Sequence, residues 1–106
     1  MKRGDVLADV AAGHPAVIVH AADAFNMKAL LVVPLTDAAG HGPGLSRWIH
    51  RCDKARNPGL PKDSVAVVPW VESFPRKTLE KKKVLCTLSA DDLDQIGAKL
   101  RLILDV

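Results

Sequence analysis

Of the four histidines in this 106-residue chain, His14 holds the most suggestive position, directly ahead of a proline in Gly13-His14-Pro15. An imidazole changes charge near neutral pH, so an exposed one can take or give a proton there. The alternative is an ordinary surface histidine in a turn. His20, His41 and His50 have no partners at metal-ligand spacing, and no metal is expected. Trp48 and Trp70 can each stack a nucleic-acid base, anchor a partner protein or simply fill a core poor in aromatics. Cys52 and Cys86 form no CxxC pair and read as reduced, buried thiols. The glycine-rich stretch around His41 lacks the following Lys and Ser or Thr of a phosphate-cradling loop, which argues against a nucleotide hydrolase.

Charge is unevenly distributed. Residues 1–40 carry 3 basic and 4 acidic side chains, residues 41–83 carry 10 and 4, and residues 84–106 carry 2 and 4. The basic middle can attract a phosphate backbone or an acidic protein segment; a pair of solvated loops is the plainer alternative. The length suits a single domain over 1–106. With 48% hydrophobic and 4% aromatic residues, the core must come from Val, Leu, Ile and Ala. No apolar run approaches the roughly 20 residues of a membrane span. Asp5 and Asp9 interrupt the opening where a secretory signal would need continuous apolar sequence, so a cytoplasmic protein without membrane contact is expected.

These side chains must be carried by short strands. Strand candidates are Val6 to Val10, Ala16 to Ala21, Ala29 to Val33, Arg47 to Arg51, Ser64 to Val68 and Val84 to Leu88. The third is apolar without alternation, which predicts cover on both faces. Pro34 is expected at a strand end or bulge. Asp23 to Met27 reads as a connection with one helical turn, and residues 37–46 as a flexible loop. The last element is a helix: Ser89 caps it, Asp92 stands in the capping-box position, and Leu93, Ile96, Leu100 and Ile103 recur every three or four residues. Gly97 is expected to allow close packing on the sheet. A mainly β, barrel-like domain with a C-terminal helix follows.

Several segments, in order along nearly the whole chain, resemble the MazF/PemK toxin family of type II toxin–antitoxin systems: Lys2-Arg3-Gly4-Asp5-Val6, Pro15-Ala16-Val17-Ile18-Val19, Ala24-Phe25-Asn26, Val32-Val33-Pro34-Leu35-Thr36, Gly59-Leu60-Pro61-Lys62-Asp63-Ser64-Val65, and Leu88-Ser89 with Leu93, Ile96, Leu100 and Leu104. The resemblance implies an SH3-like barrel of five to seven strands, a homodimer, and a metal-independent endoribonuclease acting on single-stranded RNA. It also implies an antitoxin whose disordered C-terminal tail blocks the RNA groove. Related toxins of the same general fold act on gyrase, so fold alone does not fix activity. The chain departs from the pattern in places. The loop after the first strand is cut to Ala11-Ala12-Gly13-His14, with His14 where the family has an arginine before the proline. The family's Gln-Ile-Arg step reads Trp70-Val71-Glu72, and Arg76 holds its register only approximately.

On that resemblance His14 and Thr36 are the candidate catalytic pair. His14 would serve as acid or base, and the Thr36 hydroxyl would donate to a phosphoryl oxygen. Arg47, Trp70, Arg76 and Lys77 are candidate RNA-binding residues, and Trp48 and Trp70 candidate partner-binding residues. Glu72 opposes a purely phosphate-binding surface and can pair with Arg76. A binding module without turnover, or a toxin aimed at a protein target, remain the competing expectations; no cofactor is expected.

Overall fold

The computed structural model describes residues 1–19, 28–40 and 47–105. Among the described residues there are seven strands: β1 (Asp5–Ala11), β2 (His14–Ile18), β3 (Ala29–Asp37), β4 (Ile49–Cys52), β5 (Ser64–Val67), β6 (Glu72–Pro75) and β7 (Val84–Thr87). Two helices join them, the short α1 (Arg76–Glu80) and the long α2 (Ala90–Leu104). The mainly β expectation with a C-terminal helix is met. The described pairings run β4-β5-β3-β2-β1-β7, with β6 added to β3.

The nine-residue β3 is the spine. One edge pairs with β2, setting Ile18 against Val32 and Ala16 against Pro34. The other edge is shared. Its first half pairs with β6, ending at Val32 opposite Glu72, and its last residues pair with β5, beginning at Leu35 opposite Ala66. Pro34, expected at a strand end, is instead inside the strand. It falls where that second edge changes partner, a place where a residue without an N–H costs no ladder bond.

Both faces of β3 are covered, as its unbroken apolar run predicts. On one face Val6, Val17, Val33, Leu35, Cys52 and Ala66 pack beneath Leu93 and Ile96 of α2. On the other, Leu7, Ala16, Ile18, Leu30 and Val32 pack with Leu79 of α1 and with Phe74. Leu100 and Ile103 lie against the first cluster, completing the expected apolar stripe of α2. Gly97 does not serve close sheet packing: a Cβ there would meet only the Arg3 guanidinium, at 3.4 Å. Gly59 is where close approach matters, because a Cβ would fall on the Leu85 carbonyl of β7.

β6 and α1 have no counterpart in the sequence expectations, and β4 begins two residues later than its candidate. The segments 20–27 and 41–46, which carry the expected connection, most of the glycine-rich loop, His20, His41 and Ala24-Phe25-Asn26, lie outside the described residues.

The β1–β2 connection is a two-residue turn, with Ala11 paired to His14. Ala12 (φ 50°) and Gly13 (φ 83°) both have positive φ, as mirror-image hairpin turns require. Alanine is a poor residue for that geometry, whereas asparagine tolerates it. Ala12→Asn is therefore expected to raise stability by about 0.5–1 kcal/mol, and Gly59→Ala to lower it by about 1–3 kcal/mol through overpacking. Urea unfolding of the two variants checks both.

Candidate functional site

Directly opposed residues of antiparallel strands share a face, as do residues two apart along a strand. The face of β2 and β3 that holds Ile18, Val32, Ala16 and Pro34 therefore continues to His14 and Thr36. The β2–β3 pairing ends at Ala16 and Pro34, with His14 and Thr36 each two residues farther on. Glu72 joins this face through its pairing with Val32. Where the apolar packing ends, a cleft of about 280 Å³ opens, lined by Ala11, Ala12, His14, Pro34, Trp70 and Glu72. Its walls come from the tight hairpin, from β3, and from the turn of 3-10 helix Val68–Trp70 that Pro69 starts. Trp70 is 58% exposed, so it is not core filling.

The remaining candidates stand elsewhere. Arg47 lies over the Trp48 ring at 4.4 Å, and its carbonyl accepts a 2.6 Å hydrogen bond from Lys99 of α2. Arg76 and the exposed Lys77 open α1, past the end of β6 farthest from Glu72. The structure thus brings His14 and Trp70 to one cleft with Thr36 on the same face, and leaves Arg47, Trp48, Arg76 and Lys77 outside its lining.

Among the described residues, three of the ten basic side chains of the middle segment form ion pairs with aspartates. Arg51 binds Asp53 at 2.6 Å and Asp63 at 3.1 Å, Lys62 binds Asp37 at 3.0 Å, and Arg56 binds Asp53 at 2.9 Å. Arg51, Lys62, Asp37 and Asp63 line a second cleft of about 330 Å³, a balanced rather than a basic one.

A third cluster centres on Asp92, whose side chain is fully buried. One carboxylate oxygen accepts from His50 Nε2 at 2.8 Å and from Arg56 at 2.9 Å. The other accepts from Asn57 Nδ2 at 2.8 Å and from Ser89 Oγ at 2.9 Å. Ser89 caps α2 as expected, receiving the Asp92 N–H at 3.2 Å. The reciprocal half of the box is absent. The Ser89 N–H goes to Asn57 Oδ1 at 2.8 Å, which frees the Asp92 side chain for β4 and the loop after it. Burial would push the Asp92 carboxyl upward, but hydrogen bonds from Arg56, Asn57, His50 and Ser89 outweigh it and hold the group well below the usual carboxylate range.

His50, Cys52 and Asp92 offer ligand atoms within 4.8 Å of one another. The donor set is poor for a cation. The carboxylate is saturated, a guanidinium already touches it, and burial pushes the Cys52 thiol up to about 12. The cluster acts as a structural tie. A depressed folded-state pKa contributes stability above the ordinary carboxylate range, and that contribution is lost as pH falls toward the folded value. Asp92→Asn is expected to cost about 3–5 kcal/mol at pH 7 and to flatten the acid side of the stability curve. Urea midpoints between pH 7 and pH 3 measure both.

The comparisons with known proteins agree on the fold. At 18% identity, over 100% of this chain and 96% of the other, the structure is similar to an endoribonuclease solved with its cognate antitoxin from a mycobacterial species (TM-score 0.77). It is similar to a MazE–MazF structure from Deinococcus radiodurans at 17% identity, covering 100% and 97% of the two chains (TM-score 0.77). The Mycobacterium tuberculosis toxin MazF-mt6 aligns over 98% of each chain at 20% identity (TM-score 0.71). No curated protein sequence matches. The family model for the PemK-like, MazF-like toxin of type II toxin–antitoxin systems matches residues 3–104, and the chain belongs to that family.

Proposed function

We propose that the protein is a toxin endoribonuclease that cuts single-stranded RNA at the cleft between β2, β3 and Trp70. The observation that carries this reading is the shared face of His14 and Thr36 beside that cleft, with an exposed tryptophan on its rim. The phosphodiester would lie over His14 and Thr36, with the threonine hydroxyl donating to a phosphoryl oxygen and His14 moving a proton. An unpaired base would stack on Trp70. Arg47, Arg76 and Lys77 would contact RNA farther along its backbone. The chemistry needs no metal, because proton transfer and one hydrogen-bond donor meet its demands, and it ends in a 2′,3′-cyclic phosphate and a 5′-hydroxyl.

Family membership supports a cognate antitoxin as the natural partner, with a disordered tail laid over the same groove and over Trp48 and Trp70. A homodimer of SH3-like barrels in the cytoplasm completes the reading. The division of one β3 edge between two strands fits such a curved sheet. A second reading, a module that binds RNA, antitoxin or a protein target without turnover, is favoured by Glu72 in the cleft, where a carboxylate repels phosphate.

Long RNA incubated with the purified protein and EDTA separates the two. Cleavage to 5′-hydroxyl ends, lost by at least about 100-fold when His14 and Thr36 are both replaced by alanine, is the expected result. RNA binding with no cleavage by the wild type would favour the module.

A further inference from the structure

We propose that Glu72 is the second acid–base group of the cleft, acting as the base opposite His14; this rests on the ribonuclease reading above. His14 and Glu72 are the titratable side chains among the lining residues, and Ala11, Ala12, Pro34 and Trp70 carry no charge. The two reach the cleft from opposite edges of β3, His14 from β2 and Glu72 from β6. They border the cleft from the two strands that flank β3, with β3 between them.

The Glu72 carboxylate borders the cleft and is not committed to an ion pair. Asp37, Asp53, Asp63 and Asp92 are committed to ion pairs, and Asp5 accepts from Thr87 and from the Lys2 amide. Among the described residues no side-chain hydrogen bond or ion pair engages Glu72 or His14. Asp9 on β1 reaches the hairpin turn, its carboxylate 3.9 Å from where a Gly13 Cβ would be. Arg51 is two strands away, beyond Val65, which separates it from Thr36. Arg76 and Lys77 lie past the far end of β6.

In the step itself, the Glu72 carboxylate accepts the proton of the ribose 2′-hydroxyl as the 2′-oxygen bonds to phosphorus. The bond from phosphorus to the 5′-oxygen breaks, and protonated His14 gives its proton to that oxygen. Exchange with solvent returns Glu72 to the carboxylate and His14 to the imidazolium. A carboxylate beside a phosphodiester, a liability for binding alone, becomes the group that starts the reaction.

The test is kcat/KM against pH on a chimeric oligonucleotide with one ribonucleotide, using the full chain. The wild type is expected to give a bell-shaped profile. Glu72→Gln should lose its acid limb and fall by about 100-fold or more at the optimum, while binding of the all-deoxy analogue is retained or tightened. Glu72→Asp should retain the acid limb, and formate should restore part of the rate of Glu72→Ala; these two readouts decide the matter if Glu72→Gln folds poorly. A Glu72→Gln profile that keeps both limbs within a few-fold of wild-type rate overturns the proposal, as does a variant altered only in KM. Either result leaves the ribonuclease reading standing. A wild type that cuts no RNA removes that reading and the proposal together.

Discussion

A carboxylate taken wholly out of water is tolerated only when its lone pairs are filled, and at Asp92 all of them are. Its four donors come from β4, from the loop after it, and from the cap of α2. One side chain thereby fixes the start of the helix, the path of the loop and the edge of the sheet. The loop has little other reason to hold its course. Leu60 and Asn57 are its buried side chains, and Gly59 must lie against the β7 backbone. With the loop held, β5 is delivered to the last residues of β3, and β6 to its first half. The cleft is framed where that division occurs.

Local signals made some of this legible and hid the rest. The period of α2 and its serine cap are properties of adjacent residues, and both read correctly. So did the two-sided burial of β3, because an unbroken apolar run can mean little else in a strand. Glu72-Ser73-Phe74-Pro75 carries almost no strand signal. It is a strand because β3 offers it an edge, and α1 is five residues that cover Leu79. The Asp92 cluster was invisible for a similar reason. Its members are spaced by up to 42 residues, and Asp92 looked like half of a capping box.

Composition alone does not say where the basic side chains are spent. The surplus of Lys and Arg between residues 41 and 83 suggests a basic groove, yet Arg51, Arg56 and Lys62 are spent on neighbouring aspartates. The cleft itself is almost neutral and partly apolar. His14 replaces the arginine that the family resemblance places before Pro15, and Glu72 replaces the one it places after Trp70-Val71. Two arginines of the family pattern thus give way to an imidazole and a carboxylate. The two-residue turn sets His14 at the rim of the cleft.

The tie at Asp92 also bears on when the chain matures. Residues 50, 56 and 57 leave the ribosome well before residue 92 and must wait for it. Until the carboxylate arrives, the loop lacks its anchor and β5 has no fixed approach to β3. A chain whose synthesis stops short of the last helix therefore lacks both this tie and the cover that Leu93 and Ile96 give to one face of β3.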